Sequence, residues 1–253
     1  PNLSSLNLRW CEPLKNVDAL TNCTKLTSLS LQDCHSLQNV DALTNCTKLT
    51  ELSLNSCESL QDIDGLINCT KIRKEYGDDR NLSLGGCTSL QNLDGLANCT
   101  KITSLYLGEC TSLQNLDGLA GCIKLTSLNL SDRVSLQNVR GLERAKLKQL
   151  DIAGASLKTL NNLTNTNVKS LHLSNLEMLS FKGLKKWKSV NTLSITQDSG
   201  ENVKAAEKKA LVDLDGIEAF ANLETLNLGG EWSNACDKLK SLKGVERLDH
   251  LRD

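Results

Sequence analysis

The chain has 253 residues, a formal net charge of −1, 39% hydrophobic residues and only 3% aromatic ones. That is enough apolar material for a continuous core, and the composition excludes a disordered, highly charged chain. No apolar run reaches membrane-spanning length, and the 11 cysteines contain no C-x-x-C pair or matching histidine pattern, which argues against structural zinc.

In chain order, the first apolar segment begins at Leu3 and has the form L-x-x-L-x-L. It returns at Leu26, Leu49, Ile102, Leu125, Leu147, Val168, Val190 and Leu223, with an interrupted copy ending in Leu82-Ser83-Leu84. Alternation within each copy predicts a short strand with one buried face. Each strand is followed by a second apolar segment, such as Leu37-Gln38-Asn39-Val40-Asp41-Ala42-Leu43, whose three-residue spacing predicts an extended or 3₁₀ return. A unit of 23 residues cannot bury its apolar face alone, so neighbouring units must stack into a solenoid.

Ten cysteines fall into two columns: Cys11, Cys34, Cys57, Cys87 and Cys110, then Cys23, Cys46, Cys69, Cys99 and Cys122. The second column continues as Ala145, Thr166, Trp187, Phe220 and Leu248, which predicts core volume rather than chemistry. The first runs on through Arg133, Ala155 and Leu176, and this predicts less uniform burial. Side chains parallel in a ladder seldom offer disulfide torsion, so the thiols are expected to be reduced and the compartment reducing, hence cytoplasmic. Against this stand N-C-T sequons at Asn22, Asn45, Asn68 and Asn98, which leave secretion or a cell-surface setting open. Asn also suits the turn before each strand, and duplication would copy it. Asp18, Asp41, Asp64, Asp94 and Asp117 form another column, expected to cap turns by accepting local backbone N–H groups. One carboxylate per unit supplies too few oxygens for calcium. Lys25, Lys48, Lys71, Lys101 and Lys124 predict a solvated rim.

The pattern resembles the leucine-rich repeat family over essentially the whole chain. Its repeat length is similar to the short class of internalins and the protein phosphatase 1 regulatory solenoids. The variant Leu31-Gln32-Asp33-Cys34-His35-Ser36-Leu37 resembles cysteine-containing repeats of bacterial and trypanosome leucine-rich proteins. One departure is the cysteine standing where that family usually has asparagine after the strand. The resemblance implies an α/β-type solenoid, with a curved parallel sheet on the concave face and extended or 3₁₀ returns on the convex face. Residues 1–253 are read as a single solenoid and a fragment of a longer protein, with regular cysteine-rich repeats at 1–135 and divergent repeats at 136–253. Unsealed apolar ends predict end-to-end self-association of such a fragment.

The expected function is non-enzymatic protein binding, through the concave face, through a rim, or through both. The alternatives are a structural or cell-surface repeat array, and the substrate-recognition part of a larger enzyme. No P-loop, G-x-S-x-G or H-E-x-x-H motif occurs, and the histidines lie in different repeats. No catalytic residue, cofactor, metal or small-molecule substrate is assigned, and nucleic acid is disfavoured. Most concave positions are small and uncharged. Tyr106, Glu109, Asp132, Asp151 and His172 are the distinctive ones.

Insertions break the repeat at 73–79, 198–209 and 231–237, and insertions in solenoids carry function. The last two follow neighbouring strands and are expected to share a rim. They would bring together Lys204, Lys208, Lys209, Glu231, Trp232 and Cys236, with Trp232 as the anchor.

Overall fold

The computed structural model describes residues 2–73, 82–131, 136, 139–153, 160, 161, 163, 166–176, 178–196, 211–229, 236 and 238–252. The chain divides into two compact units, Pro1–Lys146 and Leu147–Asp253.

The first unit contains β1 (Ser5–Asn7), β2 (Ser28–Ser30), β3 (Glu51–Ser53), β4 (Leu82–Ser83), β5 (Ser104–Tyr106) and β6 (Ser127–Leu130). β1–β2–β3 and β4–β5–β6 pair in parallel, each in the register set by the repeat. Leu29 therefore faces Leu52, and Leu105 faces both Leu82 and Leu128, all of them buried. Burying a leucine of this kind contributes about 1.5–3 kcal/mol, available only because the next rung covers it.

Each strand leaves through a tight turn. The Cys11, Cys34, Cys57, Cys87 and Cys110 N–H groups donate to the carbonyls of Leu8, Leu31, Leu54, Leu84 and Leu107 at 3.2–3.4 Å. The residue before each cysteine has positive φ: Trp10 at 64°, Asp33 at 60°, Ser56 at 57°, Gly86 at 76° and Glu109 at 63°. Left-handed φ confined to the third residue makes these type II turns. The return segment then forms a second parallel backbone ladder. Gln38, Gln61, Gln91 and Gln114 N–H groups donate to the carbonyls of Lys15, Gln38, Gln61 and Gln91.

The returns end in 3₁₀ turns at Asp18–Leu20, Asp41–Asn45, Asp64–Leu66, Asp94–Leu96 and Asp117–Leu119. The aspartate column does not act as expected. In each turn the Asp N–H donates to a side chain two residues earlier, on Asn16, Asn39, Asp62, Asn92 or Asn115. Those residues make the Asx turn, and the column's carboxylates point outward. Desolvation, with Asp62, Asp94 and Asp41 nearby, pushes the Asp64 carboxyl above its ordinary value. From the third turn onward the rungs approach too closely for any side chain. A Cβ on Gly65, Gly95 or Gly118 would lie 2.0, 1.8 or 2.0 Å from the carbonyl oxygen of Val40, Ile63 or Leu93.

Both cysteine columns fill the space between the two ladders. Cys34, Cys57, Cys87 and Cys110 are fully buried and Cys11 is half-buried, while Arg133 and Ala155 of the same column lie outside the described residues. Their thiols cross from rung to rung. Cys34, Cys57, Cys87 and Cys110 donate to the carbonyls of Leu8, Leu31, Leu54 and Leu84 at 3.1–3.2 Å. The second column bonds more loosely; Cys46, Cys69, Cys99 and Cys122 each lie 3.6 Å from the carbonyl of the preceding cysteine in the column. All of these cysteines are free thiols. Burial pushes Cys57, Cys69, Cys99 and Cys110 up to about 12, with neighbouring thiols or carboxylates adding to the effect.

The second unit contains β7 (Gln149–Ala153), β8 (Ser170–Ser174), β9 (Thr192–Thr196) and β10 (Thr225–Leu228), also parallel and in register. β7, β8 and β9 have five residues, where β1, β2, β3 and β5 have three. Aromatic rings occupy its core. Phe181 meets Phe220 edge-on at 5.7 Å, and Trp187 lies 6.0 Å from Phe220, all three fully buried. As the column predicts, Trp187 and Phe220 fill core volume. Its 3₁₀ turns, Ile217–Ala219 and Val245–Arg247, are each entered through a left-handed glycine, Gly216 or Gly244.

Candidate functional site

Side chains on alternate strand residues share one face, so each unit presents an open strand face whose content is fixed by register. In the first unit this face is mostly hydroxyl. Ser30, Ser53 and Ser83 are buried by their neighbours, and Ser28 donates through Oγ–H to Glu51 Oε2 at 2.8 Å. Tyr106 stands out on it as an aromatic ring, 39% exposed at the end of β5. Glu109 is exposed, three residues on in its left-handed turn position.

The second unit differs. Asp151 on β7, His172 on β8 and Ser194 on β9 share one register line. His172 Nε2 lies 3.0 Å from Thr196 Oγ1, and its Nδ1 lies 4.0 Å from Asp151 Oδ1. The imidazole is partly exposed and thus held between a hydroxyl and a carboxylate across three strands. Such a row invites comparison with an acid–base–nucleophile relay, but the carboxylate–imidazole gap is longer than a hydrogen bond. The arrangement instead offers an oriented donor–acceptor pair beside a negative charge. Among the described residues no group of three His, Cys, Asp or Glu side chains is placed to hold a metal ion. Nor, among the described residues, is any helix long and apolar enough to cross a membrane.

Of the residues singled out from sequence, Asp151 and His172 come together in the second unit, and Tyr106 and Glu109 lie on one repeat of the first. Asp132, Lys204, Lys208, Lys209, Glu231 and Trp232 lie outside the described residues, as do all of 198–209 and 74–79. Cys236, expected in the rim patch, is buried, and its carbonyl accepts the Leu239 N–H as the cysteines of the first column do for their own i+3 residues.

Sequence reasoning passed over Trp10. Its ring is 70% exposed, its backbone is left-handed, and its indole N–H donates to the Asp33 carboxylate on the next rung. The signal was available in the column. Trp10 stands where later repeats have Asp33, Ser56, Gly86 and Glu109, none of them aromatic.

Residues 7–114 match, in 6 copies, the family model for the BspA type leucine rich repeat region. Those residues belong to the leucine-rich repeat family. The stacked parallel strands with short 3₁₀ returns make the fold a leucine-rich repeat solenoid. Among solved structures, internalin C2 of Listeria monocytogenes is 19% identical over 88% of this chain and 83% of that one, with a TM-score of 0.49. An internalin F from the same organism is 18% identical, over 90% of this chain and 70% of that one, at a TM-score of 0.31. A leucine-rich repeat protein of Leptospira interrogans is 15% identical over 98% and 88%, also at 0.31. Likeness at this level adds nothing about function. No curated protein matches the sequence.

Proposed function

We propose that this leucine-rich repeat solenoid is a non-enzymatic protein-binding module. Its recognition surface is the strand face of the second unit together with the rim that carries the insertions at 198–209 and 231–237. The observation that supports this most is the Asp151–His172–Thr196 row, three different hydrogen-bonding side chains on consecutive strands. A partner's polar group docked there meets a donor, an acceptor and a charge in fixed positions. Such a site discriminates against partners that leave those groups unpaired. On this reading Trp232 is the apolar anchor, and Lys204, Lys208, Lys209 and Glu231 give the rim its charge pattern; Tyr106, Glu109 and Asp132, which precede the second unit in sequence, fall outside this surface. The same reading puts the chain in a reducing compartment. The thiols that cross from rung to rung support it, since oxidation of any one would remove a bond and add bulk inside a filled core.

The test is capture from lysate by the full chain, beside a folded variant lacking Asp198–Lys209 and carrying Trp232→Ala, and a second carrying His172→Ala. A protein held by the parent and lost by both variants is the expected result. Equal capture by all three would overturn the assignment of the recognition surface.

A further inference from the structure

Tyr106 departs from its column in concert with two other residues. At its level on the strand face the other rungs carry Asn7, Ser30, Ser53, Ser83 and Asn129, all small and polar. The turn position two residues later reads Arg9, Gln32, Asn55 and Ser131 elsewhere, but Gly85 and Gly108 on the two rungs beneath the Tyr106 ring. These two glycines have ordinary negative φ, so their backbones do not require glycine. The ring requires it. A Cβ on Gly85 would come within 2.2 Å of Tyr106 Cε1, and one on Gly108 within 2.4 Å of its Oη. Both Cβ atoms would point out of the same face as the tyrosine side chain. The ring therefore reclines along the strand direction over two bare rungs, with its other side outward.

Three positions adapted to lay one aromatic ring on a hydroxyl-rich face make a platform. We infer that Tyr106, laid over Gly85 and Gly108, is a stacking site for a pyranose ring of an uncharged glycan. The C–H-rich face of a sugar ring packs against the electron-rich face of an aromatic, while its hydroxyls need donors and acceptors around the rim. Those are at hand in Ser104, Ser127 and Asn129 on β5 and β6. Asn129 is already oriented, because its Oδ1 accepts from Ser131 N–H at 3.0 Å and from Ser131 Oγ–H at 2.6 Å. The Glu109 carboxylate at the turn accepts hydroxyl hydrogens and repels an acidic polymer, which favours a neutral chain.

The experiment titrates the full chain with cellohexaose, mannohexaose and chitohexaose, following binding calorimetrically and by tyrosine ring resonances. Tyr106→Ala removes the platform. Gly108→Ala keeps the tyrosine but displaces its ring, since the backbone there tolerates alanine. The expected result is saturable binding of at least one oligosaccharide, weakened about tenfold or more by Tyr106→Ala, equivalent to about 1.4 kcal/mol, and several-fold by Gly108→Ala. Circular dichroism of both variants should match the parent. No binding by any of the three sugars would overturn the inference, as would binding that Tyr106→Ala leaves unchanged. A proline-rich peptide captured through Tyr106 while the sugars fail would overturn it too. These outcomes are independent of the protein-partner reading, which rests on the second unit.

Discussion

The two units solve the same packing problem with different material. The first stacks near-identical rungs, with leucine on leucine and cysteine on cysteine, and links them by thiols donating to backbone carbonyls. The second covers the same column with Trp187 and Phe220 and lengthens its strands. Its strand face changes in parallel, from rows of serine to Asp151, His172 and Thr196. Repetition makes a core easy to specify, because each solution is copied, but it also copies the surface. Divergence frees the surface, and the core must then be filled case by case with larger side chains.

The sharpest way to separate the units is alkaline pH. Burial raises the folded pKa of Cys57, Cys69, Cys99 and Cys110 from 9.0 to about 12. A raised folded pKa means stability is fully present below pH 9, where unfolded thiols still hold their protons, and falls as pH climbs towards 12. The first unit is expected to lose hydrogen-exchange protection in that window. The second, whose only cysteine is Cys236, should not lose it by this route. Next in size is Phe220→Ala, which empties the aromatic cluster and is expected to cost about 3–5 kcal/mol in denaturant titration, with protection lost in Leu147–Asp253. Gly95→Ala drives a methyl onto the Ile63 carbonyl and should cost about 1–3 kcal/mol in the first unit. Cys57→Ala removes one rung-to-rung bond and a little volume, for about 1 kcal/mol by the same titration. Smallest is Asp64→Asn, which relieves the site of a carboxylate raised first by desolvation and then by its like-charged neighbours. Its pKa is raised, so the wild type gains stability as pH falls through the acid range, and the asparagine variant should flatten that limb while changing stability at neutral pH by less than roughly 0.5 kcal/mol.

Strand position and register were legible because the period is fixed. Among the described residues each of the ten apolar segments contains a strand, and the cysteine-to-aromatic column is core throughout except at Thr166, which is half-buried. What escaped was the local chemistry of the turns. An Asx bond and a carboxylate cap both place Asn or Asp near a 3₁₀ start, and only geometry shows that Asn92 rather than Asp94 accepts the N–H. The left-handed position before each cysteine was hidden because Trp10, Asp33, Ser56, Gly86 and Glu109 share no side-chain chemistry. The meaning of Gly85 and Gly108 likewise depends on a ring that folds back over them from one strand. At the proposed recognition surface, Asp151 and His172 were visible as departures from a serine pattern. Thr196 was not, because its tie to His172 runs diagonally across strands.

The division of labour between the units is tested most directly by affinity for the captured protein partner, measured across variants of both strand faces. His172→Ala, in the second unit, is expected to weaken binding at least about tenfold, which is 1.4 kcal/mol, while Tyr106→Ala in the first leaves it within about twofold. The opposite pattern, with affinity lost through Tyr106 and untouched by His172, would contradict the account.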